Sequence, residues 1–164
     1  MTGVMDDELD VFEDTQQGRY LIFTVGREDF GIPIVQVVEI IGIQEITTVP
    51  ELPGHVVGVI NLRGKIIPVL DMRLRFKLEP MAYNDRTCII VVNIDAVTVG
   101  LIVDHVAEVI RIDEENIAPP PDAKLGFHSR YIKALGKVGD DVKLLLDCEK
   151  LLTEGEIAES GSVA

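Results

Sequence analysis

Tryptophan is missing from this chain of 164 residues, and aromatic side chains make up only 5% of it. The core therefore has to be built from Val, Ile and Leu, which favour pleated sheet. Cysteines number two, Cys88 and Cys148, too few for a disulfide framework. Both sit among apolar neighbours ("TCIIVV", "LLLDCEKLL"), where a free thiol behaves as a small hydrophobe, and buried, reduced thiols fit a cytoplasmic protein. No window approaches the roughly 18 uninterrupted apolar residues of a membrane span. The opening "MTGVMDDELDVFED" is acidic, unlike the basic first region of a secretory signal. No direct membrane insertion is expected.

Clustered positive charge is also lacking. The net charge is −13, yet residues 1–17 hold six acids and no base, and residues 153–164 hold three acids. The middle, 18–152, carries nineteen acids against fifteen bases. The acidity thus belongs mostly to two tails that read as disordered, 1–17 and 153–164. With no Lys/Arg cluster to neutralise phosphates, nucleic acid is not an expected partner.

What is present is a procession of short apolar segments: "YLIFTV" (20–25), "FGIPI" (30–34), "VVGVIN" (56–61), "KIIPVLD" (65–71), "TCIIVVN" (87–93), "VTVGLIV" (97–103), "AEVIRI" (107–112), "YIKALGKV" (131–138) and "VKLLLD" (142–147). Gly, Asn and Asp punctuate them where turns need positive φ or local caps. Such spacing points to small barrels or a sandwich. "MRLRFKL" (72–78) and "CEKLL" (148–152) read as short terminal helices, and "DEEN" (113–116) as the acidic first turn of another.

An internal repeat sharpens the architecture. "FGIPIVQVVEIIGI" (30–43) aligns with "VGLIVDHVAEVIRI" (99–112) at an offset of 69, superposing Gly31 on Gly100, Val37 on Val106 and Glu39 on Glu108. Upstream, "YLIFTV" matches "CIIVVN" with one residue of slippage; downstream, "IIPVLDMRLRF" matches "VKLLLDCEKLL", with Asp71 over Asp147. The expected structure is mainly β: two similar barrels, the first mainly 30–80 and the second mainly 87–145, with the termini crossing between them. Units of that size bury little core alone and are expected to pack on each other.

No catalytic constellation stands out. The three histidines (His55, His105, His128) lack ligand-spaced partners, and the Gly-Lys pairs lack the rest of a phosphate-binding loop. There is no G-x-S-x-G elbow, and no acidic cluster has the spacing of a calcium loop. Neither enzyme activity, a metal nor a cofactor is expected. "PPP" (119–121) reads as a rigid connector into the last hairpin.

The most informative stretch is "VGVINLRGKIIPVLDMR" (57–73), a hairpin with Arg63 at its tip. Gly64 suits the left-handed conformation of a tight, bulged turn, and Asn61 can cap it. Pro68 has no N–H, so its strand should be an edge or carry a bulge. Turn chemistry alone leaves Arg63 as a solvated tip, although arginine is also a frequent interface anchor.

This hairpin resembles the signature of the CheW family, the adaptors of bacterial chemotaxis. The resemblance extends through "FGIPIVQVVEIIG", "YNDRTCIIVVN", "VGLIVDHVAEVIRI" and "YIKALGKVGDDVKLLLDCEKLL", over residues 18–152. It implies two intertwined five-stranded SH3-like barrels with pseudo-twofold symmetry around a shared core, and no catalysis. It implies coupling of the cytoplasmic tips of methyl-accepting chemoreceptors to the regulatory domain of the histidine kinase CheA, in two-component arrays recruited to the membrane. The positions matching the receptor groove are Ile34, Val37, Glu39, Ile40, Arg63, Val103 and Val106; each Val or Ile is also open to a plain core role. Gly58 and Gly100 fit close backbone approach. A kinase or ring contact would fall at Asp122 and Ala123, where the alanine replaces the family's aromatic. Two alternatives stay open: a CheW-like scaffold of a non-flagellar array, and a small β-barrel that binds a ligand or performs hydrolysis.

Overall fold

The computed structural model describes residues 16–52, 55–120 and 130–153. Its strands are β1 (Arg19–Val25), β2 (Glu28–Pro33), β3 (Val37–Gly42), β4 (Val56–Leu62), β5 (Lys65–Asp71), β6 (Cys88–Ile94), β7 (Val97–Val103), β8 (His105–Arg111), β9 (Ile117–Ala118), β10 (Ile132–Val138) and β11 (Asp141–Leu146). Two short helices, α1 (Met72–Arg75) and α2 (Cys148–Thr153), follow β5 and β11. "DEEN" forms a 3-10 turn at Glu114–Asn116, and another 3-10 turn at Ile34–Gln36 joins β2 to β3. The strand β3 lay unrecognised inside the repeat because "VVEIIG" has no turn residue to mark its start.

The strands form two sheets, ordered β8-β1-β2-β11-β10-β9 and β3-β6-β7-β5-β4. The expected division into 30–80 and 87–145 is not the division between sheets. Each half donates its leading hairpin to the other: β6–β7 sits among β3, β4 and β5, while β1–β2 sits among β8, β10 and β11. Two short parallel pairings hold the exchanged hairpins, Val69 beside Gly100 and Leu145 beside Gly31.

The pseudo-twofold repeat is exact in register. Tyr20 faces Pro33 as Ile89 faces Ile102, so the one-residue slip expected from sequence disappears and one offset, 69, relates β1–β3 to β6–β8. Even the bulges repeat: Val38 is the extra residue between the β3–β6 pairs Val37↔Val92 and Glu39↔Val91, and Ala107 is its counterpart between the β8–β1 pairs. Val57 in β4 and Lys133 in β10 are matching bulges too. The two-residue β9, which pairs Ala118 with Leu135, corresponds to the lone bridge from Thr47 to Val59. Each five-stranded unit, curved by its bulges, is thus an SH3-like barrel.

Alternation along the strands divides the side chains between two cores. In β6, Ile90, Val92 and Ile94 face the larger cluster shared by both sheets, whereas Ile89 and Val91 face the interior of their own barrel with Ile60, Ile67, Val69 and Ile102. This is why β6 and β7 read as unbroken apolar runs. The scarce aromatics concentrate in the shared core, where Phe30 stacks on Phe23 (6.0 Å) and on Phe76 (4.9 Å), and Phe76 meets Tyr131 (6.1 Å). Burying each such ring contributes roughly 1.5–3 kcal/mol. Cys148 is 3% exposed in the same core, and burial pushes its thiol up to about 12, well outside the reactive range.

Polar ties finish the junctions. Asp71 caps α1, accepting from the backbone N–H of Arg73 (2.9 Å) and Leu74 (3.3 Å), and it also accepts from the Tyr83 hydroxyl (2.8 Å). Asp147 repeats the cap on α2, accepting from the Lys150 N–H at 3.2 Å. The Arg73 side chain goes elsewhere: its Nη2 donates to Asp104 at 2.7 Å, and Gly26 N–H donates to the same carboxylate at 2.9 Å. Asp104 occupies the crossing from β7 to β8, so this pair staples one sheet to the other.

Pro68 lies in β5, which is flanked by β4 and β7; its missing N–H is tolerated because pairing with β7 begins only at Val69. Gly58 is needed for space, since a Cβ there would lie 2.2 Å from the Thr47 carbonyl oxygen. Gly58→Ala should therefore cost about 1–3 kcal/mol as the backbone gives way, and chemical denaturation would show a lower midpoint. Gly42→Ala, with open space around it, is the control that should leave the midpoint nearly in place.

Candidate functional site

Cross-strand partners share a face of their sheet. Val37 lies opposite Val92 and Ile40 opposite Ile90, both shared-core residues, so Val37 and Ile40 point toward the seam between the sheets. Ile34 and Val37 reach that core and are partly buried against it, as is Val106 from β8. Toward the rim the apolar surface continues outward: Ile40 is 41% exposed, Val38 is 55% and Val35 is 70%. These three lie within six consecutive residues, Val35 in the turn before the edge strand β3 and Val38 and Ile40 on it. Val103 differs from the others. At 1% exposure it is a plain core residue and presents no surface. Val35 and Val38 escaped the sequence reading because alternation assigns Val38 to the opposite face from Val37; the bulge, invisible in a lone strand, turns it outward.

The other flank of this strip is charged. The β4–β5 hairpin closes through a two-residue turn, Arg63 (φ 53°) and Gly64 (φ 84°), with Leu62 paired to Lys65 and the Gly64 N–H donating to Asn61 Oδ1 at 2.8 Å. The bulge expected at the tip lies instead at the far end of the hairpin, at Val57. Arg63 makes a two-pronged contact with Glu39 of β3: Nη1 meets Oε1, and Nη2 meets Oε2 at 2.9 Å. A fork matched to a carboxylate fixes orientation as well as charge. The Arg63 side chain nevertheless stays 73% exposed, against 23% for Glu39.

The repeat shows what is unusual here. Arg63 corresponds to Gly139 in the β10–β11 turn, and both take the left-handed conformation, at φ 53° and φ 62°. Glycine adopts it freely, whereas a residue with a Cβ is disfavoured there. The first barrel thus holds an arginine where the second uses the residue that suits the backbone. The crossings between sheets are equally unequal: Asp104, at the β7–β8 crossing, is locked to Arg73 and is 17% exposed, while its counterpart Val35, at the β2–β3 crossing, is open.

Among the described residues no three His, Cys, Asp or Glu side chains converge as a metal site, and no helix is long and apolar enough to cross a membrane. Asp122 and Ala123 lie outside the described residues, as does His128. Gly100 packs against Val69 and Ile89, whose methyl groups would lie 2.9 and 2.7 Å from an added Cβ.

The model of the CheW-like domain matches residues 19–156, and so takes in both barrels. The chain belongs to this family. It is 37% identical over 151 residues to "Chemotaxis protein CheW" of Klebsiella aerogenes, covering 92% of this chain and 91% of that one. A protein of the same name from Treponema pallidum is 30% identical, with 87% and 86% covered. Among solved structures, the scaffolding protein TtCheW from Thermoanaerobacter tengcongensis superposes with a TM-score of 0.78 at 35% identity, covering 83% of this chain and 92% of that chain. CheW-like membership settles the fold expected from sequence.

The guanidinium beside it holds the Glu39 carboxyl below the ordinary carboxylate range, chiefly through the direct hydrogen bond. A lowered folded-state value means that the contact is complete above the usual carboxylate range and is lost as pH falls through the depressed value. Carbon-detected titration should find the Glu39 midpoint below the ordinary glutamate range, and Arg63→Gly should return it to the ordinary value.

Proposed function

We propose that this chain is the non-enzymatic adaptor that couples methyl-accepting chemoreceptors to the histidine kinase CheA, holding each on a separate surface. The observation that carries the reading is the CheW-like match, which runs through both exchanged hairpins and both sides of the seam. Relatives of similar length bear the name of a chemotaxis protein, and a solved relative that of a scaffolding protein.

The receptor's tip, a helical hairpin, lies along the seam on Ile34, Val37 and Ile40, with Val106 at its base. An amphipathic helix seated on an apolar strip removes its own apolar face and the strip from water together. Arg63 and Glu39 set the register of that helix. An exposed arginine already oriented by a carboxylate loses less freedom on contact than a free one, which is the advantage of keeping it at a conformation that glycine would suit better. The kinase's regulatory domain takes a second surface, near Asp122 and Ala123. The alanine there, in place of an aromatic ring, weakens that contact relative to the family pattern.

Co-sedimentation with receptor-tip fragments and CheA tests the coupling. The kinase should pellet with the receptors only when this chain is present; equal recruitment without it would sink the reading. Arg63→Gly, which copies Gly139, should leave the melting temperature nearly unchanged and weaken receptor capture about tenfold, the effect of losing one interface anchor. A large drop in melting temperature would make Arg63 structural instead.

A further inference from the structure

The turn that carries Arg63 is closed by a side chain that its counterpart in the second barrel lacks. Asn61 Oδ1 accepts from the Gly64 N–H at 2.8 Å. Both hairpins close through two residues, with Leu62 paired to Lys65 in one and Val138 to Asp141 in the other. The alignment that sets Asp71 over Asp147 sets Asn61 over Lys137, whose ammonium carries only donors and cannot accept from an N–H. Among the described residues no side chain caps the Gly139–Asp140 turn, so closing such a hairpin does not depend on a cap.

The first turn instead has a choice of conformation to settle. Arg63 (φ 53°) and Gly64 (φ 84°) both take positive φ, as in a mirror-image type I turn, whereas the second turn has positive φ at Gly139 alone. The same residues can close as an ordinary type I turn followed by a bulge, with only Gly64 left-handed. That form spares Arg63 its disfavoured backbone, and its closing bond runs from the Gly64 N–H to the Asn61 backbone carbonyl. Here the Asn61 side chain takes that N–H, and the Asn61 carbonyl has a long contact with Gln44 Nε2 at 3.4 Å. One asparagine thus competes with its own carbonyl for the bond that decides the turn.

From this geometry we propose that Asn61 is a positioning residue for Arg63, keeping the turn in the form from which the guanidinium forks onto Glu39. Arginine with a cap in one barrel and glycine without one in the other are then two consistent solutions to the same hairpin. The cap offsets the backbone cost of placing a side chain at the tip. Building on the receptor-coupling reading, Asn61 sets the strength of receptor capture through Arg63, without touching the receptor itself.

The test uses the full chain and follows the Glu39 carboxyl, which the hydrogen bond from Arg63 holds below its ordinary range. In Asn61→Ala the Glu39 midpoint should rise toward the ordinary glutamate value. Asn93→Ala, at an exposed asparagine of β6, should leave it low. An unmoved Glu39 midpoint in Asn61→Ala overturns the proposal, even where the melting temperature falls. Capture of a receptor-tip fragment should weaken about threefold in Asn61→Ala, the effect of one neutral hydrogen bond. It should recover in Asn61→Asp, which keeps the accepting oxygen; no recovery overturns the cap as the cause. Adding Asn61→Ala to Arg63→Gly should weaken capture no further, since the residue it positions is gone, whereas additive losses overturn the positioning role. A raised midpoint with no capture by any of these chains supports the positioning and overturns the receptor-coupling reading alone.

Discussion

Two parallel contacts, each with a glycine on one side, hold the molecule together. Gly31 lies against Leu145 and Gly100 against Val69, and an added Cβ at either place would meet a neighbouring side chain at 2.9 Å or closer. Glycine lets the exchanged hairpin approach the last strand of the other half closely enough for the interior of each barrel to close. Without that approach the hairpins would have no sheet to complete, and the faces of β1, β6 and β7 that now form the shared core would be bare. Neither half is a sensible folding unit alone. The shared core, with its chain of stacked rings, is the consequence of the exchange.

Symmetry also explains why one site stands out. The two halves agree in bulges, turn lengths, caps and close-approach glycines, so a departure from agreement carries information. Asp104 is closed by Arg73 where Val35 is open. Gly139 relaxes a turn that Arg63 leaves strained. Ala107 is a small bulge residue where Val38 is a large one. All three differences put exposed apolar surface and an oriented charge in the first half, around the β2–β3 crossing.

Much of this was legible in the sequence. Nine strands could be read from apolar runs and turn residues, and Asp71 and Asp147 were already paired by the repeat. The exchange of hairpins was not legible, because a repeat fixes which segments are alike and says nothing of which copy each one pairs with. Bulges were hidden for a related reason: they exist only relative to a partner strand. That is why alternation alone puts Val38 on the wrong face, whereas period-2 alternation from Val99 and Leu101 places Val103 in the core, the role left open for it. Arg63 was recognisable as a hairpin tip, while its tie to Glu39, 24 residues away, needed the two edge regions of one sheet to be brought together.

The central claim is that receptor helices are read at the seam of the first half, by an apolar strip flanked by one oriented arginine. Methyl resonance mapping during titration with a receptor-tip fragment addresses it most directly. The account predicts shifts concentrated at Ile34, Val37, Ile40 and Val106, with buried Val103 and the outward Val142 of β11 unmoved. Shifts confined to Val142 and its neighbours on the second barrel, with the seam silent, would contradict it.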